Sequence, residues 1–123
     1  PFIKYQTDAS VANIIETCCA EHFEEPPSVA MDVNSMSTCR HFVRAGLGWS
    51  ILTYMGLGSC KDKDIYVSPL RNKDGECITR DTNMVYTKDA ENLVVVKTFI
   101  EYVRNYYKEH TVVDNSIFRE YKA

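Results

Sequence analysis

Cys39-Arg40-His41 places a thiol, a guanidinium and an imidazole side by side, the residue types of a thiol hydrolase. Neighbouring residues on a helix do not face one another, so Cys39 and His41 cannot form a nucleophile–base pair there. His41 reads as a surface residue. His22 and His110 have no carboxylate or cysteine partner at metal-ligand spacing. Gly46, Gly48, Gly56 and Gly58 match neither G-x-x-x-x-G-K nor G-x-G-x-x-G, so they read as a helix stop and turns, not a phosphate cradle. Tyr102, Tyr106 and Tyr107 beside Arg104 and Lys108 have the ingredients of base stacking, but half-buried helix-end anchors suit an acidic chain better. No set of residues reads as catalytic, and neither a metal nor another cofactor is expected.

Binding chemistry is easier to find. A helix beginning after Asn34-Ser35 would offer unpaired N–H groups and a positive dipole end to an anion, with the Ser35 hydroxyl beside them. From the residues alone, capping by Asn34 or Ser35 is the simpler reading. Gln6, Thr7, Thr53 and Tyr54 are further polar groups expected at strand ends, where ordinary loop chemistry also accounts for them.

The elements that must position these groups follow from periodicity. Phe2 to Tyr5 predicts a short strand, and Asp8 a cap for a helix whose apolar face is Val11, Ile14, Ile15, Cys18 and His22. Pro26-Pro27 ends that helix. Ser28 to Val33 predicts the next strand, then a helix with Met36, Cys39, Phe42 and Val43 on one face and Gly46 as its stop. Trp49 to Met55 predicts a third strand, and Ile65 to Leu70 another. Asn72-Lys73-Asp74-Gly75 is a turn signal, and Cys77 to Thr87 an extended return. Asp89 is placed to cap a long helix with the stripe Leu93, Val96, Phe99, Ile100 and Val103, extended by Tyr106 or Tyr107. The tail beyond Thr111 carries Val112, Val113, Ile117, Phe118 and Tyr121, enough apolar surface to dock. Alternation of strand and helix implies a parallel sheet, with ligands beyond the carboxyl ends of its strands.

The 123 residues suit one domain, and 45% hydrophobic with 25% charged residues is ordinary for a globular protein. Fourteen basic against 17 acidic residues, net −3, argues against this chain gripping nucleic acid by itself. No apolar run reaches the length of a membrane span, no signal-peptide pattern opens the chain, and Pro1 reads as the cut edge of something longer. Cys18, Cys19, Cys39, Cys60 and Cys77 have no framework or C-x-x-C spacing, which suits a reducing cytosol. Cys18 and Cys39 fall on apolar helix faces, where a free thiol packs as a small hydrophobe.

The run Val43-Arg44-Ala45-Gly46-Leu47-Gly48, followed by Trp49-Ser50-Ile51-Leu52, resembles the effector-binding domain of LysR-type transcriptional regulators. Members of that family carry Val-x-x-Gly-x-Gly at a helix end and then an apolar strand. Thr53 stands where the family usually has a proline. The resemblance extends from Pro1-Phe2-Ile3 to the helix ending near Glu109, and rests on the order of motifs more than on any one of them.

It implies an α/β, Rossmann-like lobe of a type 2 periplasmic-binding-protein fold, its sheet flanked by helices. Residues 1–88 would be the second, effector-binding lobe, and 89–123 the return helix and tail. It also implies a non-enzymatic, cytoplasmic regulatory domain with no membrane partner, whose small-molecule effector is a carboxylate or other anion. Ser35, Asn34, Thr53, Gln6, Thr7 and Tyr54 would line that site. A homodimer or higher oligomer would contact DNA through an upstream helix-turn-helix, and the return helix would expose apolar surface unless another chain covers it. Redox sensing, known in some members, finds no low-pKa cysteine setting in this pattern. Two alternatives remain: a lobe of a periplasmic-type solute-binding protein, marked by an export signal, and a regulatory module attached to an enzyme.

Overall fold

The computed structural model describes residues 1–58 and 65–110, together with 113, 116 and 118. These divide into two compact units, one built on Pro1–Ile78 and the other on Thr79–Asn115.

The first unit is a small parallel sheet with helices. Strand β1 (Phe2–Tyr5) pairs in parallel with β2 (Val29–Val33), with a register irregularity between Phe2 and Ile3. The intervening helix α1 (Ala9–His22) starts as the sequence predicts: Asp8 stays extended and its carboxylate accepts the Val11 N–H at 3.0 Å. Helix α2 (Met36–Arg44) follows β2, capped by Ser35, and the chain turns away at Gly46 with a φ of 75°. The core lies between these elements. Ile3 and Cys39 are fully buried and Tyr5 nearly so, and Ile15, Met31, Val33, Met36, Phe42, Val43 and Leu52 pack around them. Full burial of a side chain such as Ile3 contributes about 2–3 kcal/mol.

The expected third strand over residues 49–55 is reduced to a single parallel bridge between Phe2 and Trp49. The Ile3 N–H reaches the Trp49 carbonyl at 2.9 Å, and the Trp49 N–H reaches the Pro1 carbonyl at 3.1 Å. At the position of the next rung a side chain bonds instead: the Ser50 hydroxyl donates to the Ile3 carbonyl at 2.7 Å. The chain then turns into a four-residue helix, α3 (Tyr54–Leu57), where the sequence reading had the end of a strand.

Residues 65–70 form no strand either. Pairing is confined to an antiparallel bridge between Arg71 and Cys77 around the predicted turn, where Gly75 has a φ of 83°. The Asn72 side-chain oxygen accepts the N–H groups of Asp74 at 3.0 Å and Glu76 at 2.9 Å. Beyond Cys77 the expected extended return has no ladder over 79–87.

The second unit holds α4 (Val94–Glu109), preceded by a 3-10 turn at Lys88–Asn92. Asp89 does not cap α4. It sits inside the 3-10 turn, and extended Leu93 opens the helix without a side-chain cap. The expected stripe is only partly buried: Ile100 is 3% exposed, Val96 and Val103 are half-buried, while Leu93 and Phe99 are 63% and 60% exposed. Of the tail residues, Val113 is exposed and Phe118 half-buried; Val112, Ile117 and Tyr121 lie outside the described residues, as does Cys60. Among the described residues, no helix is long and apolar enough to cross a membrane.

Candidate functional site

The first turn of α2 gathers most of the polar groups expected at the strand ends. Ser35 is extended, and its Oγ accepts the Thr38 N–H at 3.1 Å while lying 2.8 Å from the Thr38 hydroxyl. Asn34 is exposed and leaves the capping to Ser35. A helix start leaves the N–H groups of Ser35, Met36 and Ser37 without intrahelical partners. No acidic residue stands in this first turn, so no side-chain charge neutralises the positive dipole end, and the basic residues of the last turn, His41 and Arg44, sit at the opposite end.

Two neighbouring segments close in on this turn. The Gln6 N–H reaches the Val33 carbonyl at 2.9 Å, holding the end of β1 beside the chain that enters α2. Thr7 follows it and leads into Asp8, the cap of α1. On the other side, Thr53 is the residue before α3 but does not cap it; its hydroxyl donates to the Met36 sulfur at 3.5 Å. Tyr54, half-buried, follows it as the first residue of α3. Arg40 lies one helical turn beyond Met36, and its Nη1 donates to the Gly56 carbonyl at 3.3 Å. A side chain at either glycine of this contact would force its neighbour to move. A Cβ at Gly56 would run into the Met36 sulfur, and one at Gly58 into Arg40 Nη1.

Thr38, Met36 and Arg40 belong to this arrangement and were missed in the sequence. Thr38 had a signal, since Ser35-x-x-Thr38 has the capping-box spacing. Met36 and Arg40 are four apart and so share a face. The reach of Arg40 to Gly56 had no local signal.

The buried cysteines Cys18, Cys19 and Cys39 are poorly placed to act as nucleophiles. Cys39 is fully buried, its thiol 3.1 Å from the Ser50 hydroxyl and 3.7 Å from the Ile3 carbonyl, whereas His41 is exposed. Burial pushes the Cys39 thiol above its ordinary pKa, and the bond to Ser50 opposes this only in part. One expectation needs correcting: His22 does have a cysteine neighbour, because Cys18 lies one turn back with its sulfur 3.7 Å from Nδ1. That ring nitrogen donates to the Cys18 carbonyl at 2.9 Å, so it is not a base for the thiol. Burial, then Cys19 and Glu21, push the Cys18 thiol up; burial alone does so for Cys19. Among the described residues, no three His, Cys, Asp or Glu side chains group as a metal site.

The first unit is thus a parallel β–α–β arrangement with a capped helix start at the carboxyl end of its strands, and the sequence assigns the chain to a family. Residues 1–108 match the LysR substrate binding domain, and the chain belongs to that family. It is similar to two Bacillus subtilis proteins, both described as uncharacterised HTH-type transcriptional regulators. With YraN it is 36% identical over 104 residues, 85% of this chain and 35% of that protein. With YkuM it is 27% identical over 105 residues, again 85% of this chain and 35% of that protein. The chain thus spans about a third of the length of the curated relatives it matches. No solved structure matches it. Both relatives are named as regulators of transcription, which does not favour the solute-transport alternative.

Proposed function

We propose that this chain is the second lobe, with its return helix, of the effector-binding part of a cytoplasmic LysR-type transcriptional regulator, and that it performs no catalysis. The lobe belongs to the type 2 periplasmic-binding-protein fold. Its effector is a small carboxylate or other anion held at the start of α2, with Gln6, Thr7, Asn34, Ser35, Thr53 and Tyr54 around it. The observation that carries this reading is the Ser35 cap. Ser35 Oγ accepts from the Thr38 N–H and pairs with the Thr38 hydroxyl, a bond in which either oxygen can donate; with Thr38 as the donor, the Ser35 O–H is free to donate to a ligand beside the Met36 and Ser37 N–H groups. Hydrogen bonds to an ionised acceptor are the strong ones, and no first-turn carboxylate opposes the ligand's charge.

In the intact protein, an effector that prefers one arrangement of the lobes shifts the population toward it. A homo-oligomer then presents its upstream helix-turn-helix segments to DNA differently. The test is a thermal-shift titration of the chain with sodium acetate, succinate, citrate and benzoate against sodium chloride at matched ionic strength. At least one carboxylate is expected to raise the midpoint saturably, since a ligand at one hundred times its Kd stabilises by about 2.7 kcal/mol. A response no different from chloride for all four overturns the anion reading.

A further inference from the structure

Arg40 borders the site and has so far been given no role toward a ligand, yet its surroundings are unlike those of an ordinary surface arginine. It is half-buried on the face of α2 that also carries Met36. Its Nη1 donates to the carbonyl of Gly56, in the last turn of α3, where a cation is favoured by the helix dipole. Its Nε is buried without a hydrogen-bond partner, a cost the fold accepts at this contact. The segment opposite has been shaped to receive it. Gly58 has φ 59° and ψ −152°, a conformation open essentially to glycine alone, and a Cβ there would occupy the place of Nη1. Gly56 is likewise bare because Met36 fills the space beside it, and Met36 is the residue to which Thr53 donates.

We propose that Arg40 is a positioning residue for the effector site: by gripping the Gly56 carbonyl it fixes residues 53–57 against the first turn of α2, and so sets which effectors fit. The inference rests on the functional reading above and extends it from where an effector sits to what determines selectivity. Arg40 needs no contact with the ligand. It acts through α3, whose preceding residue Thr53 is the polar group on that side of the α2 start. A single bond to a carbonyl is within reach of a lysine, so charge and reach, not the planar guanidinium, are what the position demands.

The experiment compares the chain with its Arg40→Met and Arg40→Lys variants. Hydrogen exchange reads the amides of Leu57 and Gly58, and calorimetry reads the binding of acetate, succinate, citrate and benzoate. Arg40→Met is expected to raise exchange at those two amides, to weaken the tightest of the four probes about tenfold, and to change their rank order. Arg40→Lys is expected to restore both the exchange and the order. Unchanged exchange in Arg40→Met overturns the inference, as does an unchanged rank order or a lysine that restores nothing. If the four probes bind the parent chain and Arg40→Met binds them alike, this inference alone falls. If none binds the parent chain, the anion site falls and takes the inference with it.

Discussion

Replacing Ser35 separates what the first turn of α2 does for the fold from what it does for a ligand. Alanine removes the acceptor for the Thr38 N–H, now at 3.1 Å, and the hydroxyl pair with Thr38, now at 2.8 Å. Loss of such a cap costs about 1 kcal/mol, which lowers the melting point of a chain this size by roughly 4 °C. Glycine is a better control because it caps nearly as well as serine: Ser35→Gly costs only about a few tenths of a kcal/mol. It nevertheless lacks the hydroxyl that would donate to a bound anion, a bond worth about 1.5–3 kcal/mol. A purely structural account has binding follow stability, so that Ser35→Gly keeps its ligand; a hydroxyl that donates to the ligand separates the two. Urea unfolding should show Ser35→Gly close to the parent and Ser35→Ala below it. Calorimetric titration with the carboxylate that binds best should show both weakened tenfold or more. A Ser35→Gly variant that binds as tightly as the parent refutes the reasoning and leaves Ser35 as a cap only.

Thiol chemistry should sort by burial: with Cys60 replaced by serine, a thiol reagent at pH 7.5 is expected to label Cys77 quickly and Cys18, Cys19 and Cys39 only in urea. A second fast thiol in the folded chain would contradict the burial and raised pKa of those three. The same shifts set a pH dependence with a definite sign. Below the unfolded thiol pKa of about 8.5 both states keep the proton. Above it the unfolded chain releases protons that the native chain retains, so stability falls as pH rises through the folded-state values. The urea midpoint should drop between pH 7.5 and 9.5, and Cys39→Ala should flatten that drop. Glycine positions give another contrast. Gly48→Ala would drive a Cβ into the Pro1 carbonyl and toward Ile3, costing about 1–3 kcal/mol and loosening the Trp49 bridge. Gly46→Ala meets no atom within 4 Å and should cost about 1–2 kcal/mol from its positive φ alone; hydrogen exchange at the Ile3 amide, which bonds Trp49, should rise in Gly48→Ala and not in Gly46→Ala, and no rise in Gly48→Ala would refute the close-approach argument.

What could be read beforehand was whatever a short window of chain decides. Asp8 and Ser35 cap the helices they precede, Gly46 stops α2, and the Asn72–Gly75 run turns, because each depends on neighbours within four residues. The strands show the opposite. Residues 49–55 and 65–70 carry strand-like residues, but a strand exists only where a partner offers free carbonyls and N–H groups. Beyond Trp49 the Ile3 carbonyl is met by the Ser50 hydroxyl and not by a further backbone N–H, and no local pattern in 49–55 announces it. Asp89 misled for a related reason: a good capping residue is no guide when the chain first makes a 3-10 turn and restarts at Leu93. The family was legible from the order of motifs, and the match over residues 1–108 follows the span of that resemblance. At the site, Ser35 was visible as a cap and Thr53 as a polar strand-end group, whereas Arg40 acts through a carbonyl 16 residues away.

The position of β1 has a mechanical consequence. Its four residues pair along their length with β2, and at Phe2 the other edge meets Trp49 through a single bridge. Tension applied along the chain at Pro1 would load those bonds together, in shear, and not peel them one by one from an edge. The same strand ends at Gln6, tied to the carbonyl that leads into α2. The strand thus links the Pro1 end of this unit to the corner proposed for the effector, and a small displacement at one end would be felt at the other.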